Sequence, residues 1–472
     1  MSAMLAIELN DAGIVVAREA ADGGVQLVGD PSPGFAQLQG DTVLVGDEAA
    51  RRHRMAPLHA QNRFWYAPGL EPLPWIARGI ATQADLAHAH LSAVLAPAVR
   101  DGSNEVLLAV PPGYTREQLG LLVGITQETG VVVRGLVDLG LVACVTVAPA
   151  SHLLHVDLQL HQATATLVET PRSEAVMRRA RYELLPGAGV LAFQQAIAVT
   201  IATAFVRETR FDPLHQAATE QRLYDRLPEW LDELTRVDEV PIEIEVGSMT
   251  HRILLQRQQV ERAVEAFCGD IVRLVQSARP AGTPLQLCVT PRVAAVPSLL
   301  ERLNGLRDCR VVVLAPGAAA LGALQMAAHI VRPADAIALV HRLPLATEPD
   351  VGATAHAALA RIGSDEVPTH VLFHGQAWPI NGVPLAVGWS VAGAARALGL
   401  PAGVAGVSRS HCTLLRLDGQ VVVQDHSTYG TFVNDERVGG RVALRVGDLL
   451  RLGAPGVTLE LIRVLADHGD TP

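Results

Sequence analysis

Short apolar runs recur along residues 1–335, and segments with the periodicity of amphipathic helices lie between them. The runs that predict strands are MLAIEL, GIVVA, TVLVG, EVLLAVP, VVVRGLV, ACVTVA, HLLHVDL, ATATLVE, QLCVT and RVVVLA. Helices are predicted over residues 115–129, 189–207, 217–234 and 258–278. This alternation of the two patterns predicts layers of mixed α and β structure for residues 1–335.

The pattern changes twice in the remainder of the chain. Residues 336–365 contain Pro, Gly and Ala without a firm period, which predicts a linker. Residues 366–466 contain short strand-like runs that are separated at close spacing by turn residues, for example Asp-Gly at 418–419 and Gly-Gly at 439–440. This arrangement predicts an all-β sandwich, with residues 467–472 as a short tail.

One apolar segment has the length of a membrane-spanning helix. Residues 311–331 carry no formal charge, but an Ala-Pro-Gly turn separates their β-branched start from an Ala- and Gly-rich run. We therefore predict a buried strand that leads into a helix, and no membrane span. The start of the chain lacks the basic region of a signal peptide, and the five cysteines stand singly. These features predict a cytoplasmic, reducing location.

The composition excludes two classes of function. The chain contains no lysine, so all 38 basic residues are arginines, which excludes a P-loop lysine and a Schiff-base lysine. The 48 acidic residues bring the net charge to −10, and aromatic residues make up only 4% of the chain. Nucleic-acid binding needs a basic surface and often stacked aromatic side chains, so we predict no nucleic-acid partner.

The most specific motifs lie in the predicted β-sandwich. Val-Ser-Arg-Ser-His at 407–411 is followed by Asp-His-Ser-Thr-Tyr-Gly-Thr-Phe-Val-Asn at 425–434, and then by Gly-Asp at 447–448 and Leu-Gly at 452–453. In their order these motifs resemble the forkhead-associated (FHA) domain. The resemblance implies a β-sandwich that binds phosphothreonine peptides, or another protein partner, with loops at one end.

The resemblance also implies a phosphopeptide site, which consists of Ser408, Arg409, Thr428 and Tyr429. Arginine and serine donors suit a phosphate because it carries almost two negative charges and three acceptor oxygens. The chain departs from the family where Trp389 replaces an arginine and Tyr429 replaces an asparagine. Loss of a charged donor costs about 1.5–3 kcal/mol of phosphate binding. Alternatively, these two aromatic side chains form a surface for an unphosphorylated protein. His411 is interpreted as a structural residue that holds its loop.

Segments of the N-terminal part resemble, in order, the nucleotide-binding domain of the 70-kDa heat-shock chaperones and their actin-like relatives. They lie at residues 6–9, 44–49, 107–114, 155–158, 287–292, 296–297 and 315–323. The resemblance spans residues 3–332 and implies a two-lobed actin-like ATPase fold with a nucleotide cleft. The peptide-binding domain and helical lid of the chaperones do not follow it, so we do not predict a folding chaperone.

The loops that would hold ATP differ from those of the family. Phosphate loops need glycines so that backbone N–H groups can approach the phosphates, but this chain has Asn-Asp-Ala at 10–12 and Gln-Leu-His-Gln at 159–162. The adenosine loop has Thr-Pro at 290–291, and the family's catalytic lysine is absent. The residues of the possible nucleotide cleft are Glu8, Asp11, Asp157 and Gln159. Asp11 places a carboxylate where a phosphate belongs, which is repulsive.

We therefore predict no catalytic residue, no metal site and no cofactor, and we disfavour ATP and magnesium. Glu8 and Asp157 align with carboxylates of the family, and a magnesium site there is the alternative. The interpretation that we favour is that Asp157 ends a strand and caps a turn.

These features predict a non-enzymatic scaffold or adapter in a bacterial signalling or assembly complex, with a chaperone-like pseudo-ATPase body and an FHA module. One alternative is a nucleotide-regulated ATPase switch with an atypical ATP site. Another is an adapter that binds unphosphorylated protein through a degenerate FHA surface.

Overall fold

The computed structural model of the chain describes residues 4–20, 24–171, 176–280, 282–332, 337–345, 367–373, 376–391, 394–400, 406–417, 419–434, 436–453 and 456–463. The chain divides into two compact units, residues 1–346 and 347–472. The predicted tail and residues 346–365 of the predicted linker lie outside the described residues.

The first unit is built on two six-stranded sheets. In spatial order, the strands of the first sheet are Leu339–Val340, Val132–Asp138, Glu105–Val110, Met4–Glu8, Ile14–Glu19 and Val25–Ser32. The strands of the second sheet are Cys309–Val313, Leu285–Val289, His152–Leu158, Gln162–Glu169, Val176–Pro186 and Arg342–Pro344. Smaller sheets pair Ala36–Gln39 with Thr42–Val45 and Ala60–Gln61, Pro72–Ala77 with Ile80–Thr82, and Glu239–Val246 with Met249–Gln256.

The two large sheets share one topology. In each sheet, three consecutive strands form an antiparallel meander. Two later strands then add in parallel on the open side of the meander's first strand. As a result, Met4–Glu8 is an interior strand of the first sheet and His152–Leu158 is an interior strand of the second. The turn that follows each of these two strands lies at the corresponding end of its sheet.

Two short strands lie in a region where the sequence predicts a linker. Leu339–Val340 pairs with the edge of the first sheet, and Arg342–Pro344 pairs with the edge of the second. The linker prediction, which begins at residue 336, is therefore wrong for these residues. Strands of this length are too short to show a period of alternating side chains.

The helices of the first unit mostly follow the predicted pattern. The α-helices are Asp47–Ala50, Gln83–Arg100, Arg116–Glu128, Leu139–Ala143, Val190–Thr209, Ala217–Glu233, Arg257–Ala263, Glu265–Ala278, Pro291–Ala294, Leu299–Asn304, Ala318–Gln325 and Ala327–Ile330, and the 3-10 helices are Pro57–His59 and Cys144–Thr146. The helix at 116–128 begins at a capping box, in which Thr115 and Gln118 each accept the other's backbone N–H. The uncharged segment 311–331 contains a strand and a helix, as predicted, but the strand lies at a sheet edge and is only partly buried, which corrects the prediction of a buried strand.

One predicted strand is a helix. The run ACVTVA at 143–148 follows Leu139–Ala143 and continues as the 3-10 helix Cys144–Thr146. Asp138 starts this turn of helix, because its Oδ1 accepts the Leu141 N–H at 2.9 Å. The run is short and begins with the buried residues Ala143 and Cys144, and such a short apolar run has no period that separates strand from helix.

Three apolar cores hold the first unit together. One packs the helices at 83–100 and 116–128 on the outer face of the first sheet, and a second packs the helices at 190–209, 217–233 and 265–278 on the outer face of the second. The third lies between the sheets, where helix Ala318–Gln325 packs against residues of both. This shared core brings the ends of the two central strands close together.

Helix Val190–Thr209 is long and apolar enough to span a membrane by length and composition alone. One of its faces, with Phe193, Ile197, Ile201 and Phe205, is buried in the core of the second sheet. Core helices and membrane helices share the same length and composition, so this helix does not by itself indicate a membrane.

The second unit is a two-sheet sandwich. One sheet has the order Gln376–Pro379, His370–Phe373, Val457–Ile462, Leu449–Leu452, Thr431–Val433 and Glu436–Arg437. The other has the order Ala397–Gly399, Leu385–Gly388, Cys412–Leu417, Gln420–Asp425 and Arg441–Leu444. Alternate residues of both sheets, such as Val387, Leu414, Val423 and Leu450, form the core between them.

Candidate functional site

Two hairpin turns in the first unit carry the residues predicted for a nucleotide cleft. In the first sheet, residues 9–13 connect Met4–Glu8 to Ile14–Glu19. In the second sheet, residues 159–161 connect His152–Leu158 to Gln162–Glu169. Both turns are largely buried. Their positions follow from the shared topology of the sheets.

The two turns are hydrogen-bonded to each other. The Asn10 side-chain amide donates to Asp157 Oδ2 at 2.7 Å and to the Leu158 carbonyl at 3.1 Å. In the opposite direction, the Leu160 N–H donates to Asp11 Oδ1 at 2.7 Å. A loop that bound phosphate would leave such N–H groups for the ligand, but here a carboxylate of the same chain accepts one of them.

Arg292 lies between two buried carboxylates of the turns. Its Nη2 donates to Glu8 Oε1 at 2.9 Å and to Asp157 Oδ2 at 3.0 Å, and its Nε donates to Asp157 Oδ1 at 3.1 Å. Thr290 donates to Asp157 Oδ1 at 2.6 Å, and the Ala319 N–H donates to Glu8 Oε2 at 3.1 Å. Each carboxylate therefore has more than one donor, as buried charges require.

The charges in this cluster stabilise one another. Burial would raise the pKa of Asp157, but the charge and hydrogen bonds of Arg292 outweigh burial and hold the pKa below its ordinary value. Burial would lower the pKa of Arg292, but Asp157 and Glu8 raise it. The guanidinium lies between two acidic side chains, where a divalent cation would have to bind. The donor set therefore does not fit a magnesium ion.

Asp11 has a different environment. Burial raises the pKa of its carboxyl from 3.8 to about 7, although the Leu160 N–H and the charge of Arg292 act in the opposite direction. Its Oδ2 atom is buried and has no hydrogen-bond partner among the described residues. Near neutral pH this carboxyl therefore exchanges a proton in a site that excludes water.

An apolar cluster closes the space beside the turns. Leu160 is 2% exposed and packs with Phe35 and Ala49, while Ala12 and Leu44 lie against the cluster. Side chains of both hairpin regions thus fill the space beside the turns.

The structure brings together Glu8, Asp11 and Asp157, but not the fourth residue predicted for the cleft. The Gln159 side chain accepts from Gln162 Nε2 at 2.6 Å within its own hairpin. The sequence predicts no role for Asn10, Thr290 or Arg292. A signal was present, because Arg292 directly follows the Thr-Pro pair at 290–291 and is the only arginine in the segment 287–292.

In the second unit, His411 joins the two loops that carry the predicted phosphopeptide site. The His411 side chain is fully buried, its Nδ1 accepts the Ser408 N–H at 3.0 Å, and its Nε2 lies 3.1 Å from the Gly430 carbonyl. Burial lowers the pKa of His411, so the ring is neutral with the proton on Nε2. This is the structural role that the sequence predicts for it.

The four predicted site residues lie at one end of the sandwich. Ser408 Oγ accepts the Thr428 N–H at 3.1 Å, so the two loops are in direct contact. Arg409 is exposed, and its guanidinium carbon lies 5.6 Å from the centre of the Trp389 ring. Tyr429 is 58% exposed and Trp389 is 40% exposed. The result is a surface with one cation, one hydroxyl and two aromatic rings.

The backbone fixes the position of Arg409. A β-carbon at Gly388 would lie 2.1 Å from the Arg409 carbonyl oxygen, so only glycine allows this approach. The Arg409 carbonyl in turn accepts the Ser390 N–H at 3.0 Å. Among the described residues, no carboxylate lies within ion-pair distance of the Arg409 guanidinium. Its donors are therefore free for an anionic group from outside the protein.

A family model of the FHA domain matches residues 399–453. No curated protein matches the chain. The second unit therefore contains an FHA domain, as the motifs at 407–411 and 425–434 predict, and FHA domains bind proteins that often contain phosphothreonine. The resemblance of residues 3–332 to the heat-shock chaperones stays a prediction.

We expect Arg292→Ala to destabilise the first unit by about 3–5 kcal/mol, because it leaves Glu8 and Asp157 buried without their cation. Chemical denaturation of the full chain measures this change. Arg307→Ala removes an exposed arginine from the same unit and should stay within about 0.5 kcal/mol of the wild type. Equal stability of the two variants would contradict the structural role of Arg292.

We expect Asp11→Asn to change how stability depends on pH. The folded state keeps a proton on Asp11 that the unfolded state releases above about pH 4. The free energy of unfolding therefore falls as the pH rises from about 4 to about 7. The loss is about 4 kcal/mol, because each unit by which the pKa is raised corresponds to about 1.36 kcal/mol. Between pH 5 and pH 8, Asp11→Asn should lose less stability in urea denaturation than the wild type. The exposed-site variant Asp41→Asn should follow the wild type, and parallel curves for all three would exclude this effect.

Proposed function

We propose that the chain is a non-catalytic adapter that binds phosphothreonine-containing proteins through its FHA domain and presents them on a pseudo-ATPase body. The observation that carries this proposal is the exposed, unpaired guanidinium of Arg409, which lies beside Ser408 at the loop end of the FHA sandwich. A buried histidine and a glycine contact hold this loop in place, so the arginine is positioned before a ligand arrives.

The proposed body is a two-lobed, actin-like domain that has lost its ATP site. The repeated topology of the two large sheets supports the two lobes. The Arg292 bridge between Glu8 and Asp157, the Asn10 and Leu160 hydrogen bonds and the burial of Leu160 support the loss of nucleotide binding. Phosphoryl transfer depends on positioned phosphates and metal, and the occupation of these groups by one another supports the proposal that the body carries out no such transfer.

The same proposal assigns the adapter to the cytoplasm of a bacterium. All five cysteines are free thiols, and burial raises the pKa of Cys412 above the range in which a thiolate forms at neutral pH. Such inert, unpaired thiols are typical of a reducing compartment.

The test of the FHA function is peptide binding. A phosphothreonine peptide array probed with the full chain identifies a bound sequence, and calorimetry then compares its phosphorylated and unphosphorylated forms. We expect binding of the phosphorylated form alone. Arg409→Gln should weaken it by about 10- to 150-fold, which corresponds to the loss of a charge-assisted hydrogen bond.

Arg441→Gln is the matched control, because it removes an exposed arginine of the same sandwich that bonds to Gln424 and belongs to neither predicted binding loop. It should bind like the wild type. Equal affinity for both peptide forms would favour the second candidate function, an adapter for unphosphorylated protein. The exposed Trp389 and Tyr429 rings are the observation that supports this candidate.

The test of the body is thermal unfolding of the full chain with ATP and magnesium. We expect no saturable rise in melting temperature relative to magnesium alone, because a ligand stabilises a protein only when it binds the folded state. A saturable rise would overturn the pseudo-ATPase proposal and favour the nucleotide-regulated switch.

A further inference from the structure

A cavity of about 500 Å³ lies beside the Leu160 turn in the first unit. Its walls come from two parts of the chain, residues 53–66 and residues 160–195. A cavity of this volume can hold a small molecule. Glu8, Asp157 and Arg292 do not line it, so the cavity is distinct from the buried charge cluster of the two turns.

The charged side chains that line this cavity are two arginines, Arg54 and Arg63, and two histidines accompany them, His53 and His161. No carboxylate of the described residues lines the cavity. The whole chain has a net charge of −10, so a basic lining sets this cavity apart from the protein as a whole. The lining favours an anionic ligand.

The two arginines differ in what neutralises them. Arg54 Nη1 donates to Glu220 at 2.6 Å, and its guanidinium carbon lies 3.3 Å from the centre of the Tyr224 ring. Arg63 is exposed, and its guanidinium carbon lies 5.7 Å from the centre of the Tyr66 ring. Among the described residues, no carboxylate lies within ion-pair distance of Arg63. The cavity therefore has one positive charge without a counter-ion from these residues.

The two carboxylates that precede this wall in the sequence already have partners. Asp47 lies 3.4 Å from Arg51, and Glu48 lies 3.4 Å from Arg52. Both pairs connect adjacent turns of one short helical segment. These carboxylates are therefore held by arginines that do not line the cavity.

No acidic side chain acts on either histidine. Burial lowers the pKa of His161, the Asn62 carbonyl raises it, and the charge of Arg63 lowers it. The pKa of His53 falls to about 4 because of burial, Arg54 and His161. Both rings are therefore neutral near pH 7, and the positive charge of the cavity is concentrated on Arg63.

Apolar side chains form the remainder of the cavity, which includes Leu160, Pro186, Leu191, Ala192 and the ring of Tyr66. Leu160 and Leu191 belong to the apolar cluster beside the turns, which fixes this wall. The Tyr66 ring packs edge-on against His161, with 5.7 Å between the ring centres. An apolar wall beside a single free cation suits a ligand that has one charged end and one apolar end.

We propose that this cavity binds a small organic monocarboxylate, whose carboxylate pairs with Arg63 and whose apolar body lies against Leu191. One guanidinium matches one carboxylate in charge, and its planar fork can donate to both oxygens. A phosphate monoester carries almost two negative charges, of which Arg63 neutralises only one. The proposal does not depend on the phosphothreonine function of the second unit.

The experiment uses the full chain and three acids with different bodies, which are benzoate, phenylacetate and hexanoate. Each is paired with its primary amide, which has nearly the same shape and no charge, and phenyl phosphate represents the phosphate monoesters. Saturation-transfer NMR detects binding, and calorimetry measures the Kd. We expect at least one acid to bind with a Kd of about 1 mM or below, at least about tenfold more tightly than its amide and more tightly than phenyl phosphate.

Arg63→Gln should weaken binding of that acid by about 10- to 150-fold, which corresponds to the loss of a charge-assisted hydrogen bond, and should leave binding of its amide unchanged. Arg51→Gln is the matched control. It removes an exposed arginine from the same part of the chain, one that pairs with Asp47 and does not line the cavity, and it should bind like the wild type.

The comparison of acid and amide on the wild type tests the proposal even where a variant unfolds. Equal affinity for acids and amides, absence of binding for all three acids, or an acid preference that Arg63→Gln retains would each overturn the proposal. Tighter binding of phenyl phosphate than of any acid would overturn the assignment of a carboxylate.

Discussion

The contact between Arg292 and the two carboxylates of Glu8 and Asp157 is the interaction on which the first unit depends. It joins three segments that are remote in the sequence, which are the strands Met4–Glu8 and His152–Leu158 and the short helix Pro291–Ala294. Removal of three charges from water is costly, so the net contribution of such a cluster to stability is small. Its effect is instead to specify one arrangement, because a displaced turn would leave a buried charge without a partner.

The same cluster explains why the turns have their unusual composition. A phosphate loop keeps glycines so that its N–H groups point at a ligand. Here Asn10 and Asp11 make side-chain contacts to the opposite turn, and Leu160 adds an apolar contact. Glycine can make neither kind of contact. Thus the side chains of the two turns and Arg292 act together, so that the protein's own groups hold the turns in place.

The sequence predicts the buried strands of both large sheets, because each is a short apolar run, and it predicts the FHA motifs, because they are local. It does not predict Val176–Pro186, which alternates with arginines, or the hairpin Glu239–Gln256. Both carry many exposed residues, so hydrophobicity alone does not mark them. At the paired turns, the acidic residues are predictable from the resemblance of short segments to a known family. Arg292 is not, since it meets Glu8 across 284 positions of the sequence.

Because the chain contains no lysine, arginine supplies every cation of the protein, and its environments separate structure from recognition. Arg292 is partly buried, with its side chain 21% exposed, and acceptors of the same chain satisfy it from two sides. Arg409 is exposed, lies beside the Trp389 ring, and has no carboxylate partner among the described residues. A flexible lysine would lose more entropy on binding, whereas a planar guanidinium held against a ring is already oriented for a phosphate or carboxylate. Paired arginines therefore hold the first unit together, whereas the exposed guanidinium of Arg409 leaves the FHA domain with donors for an anionic group.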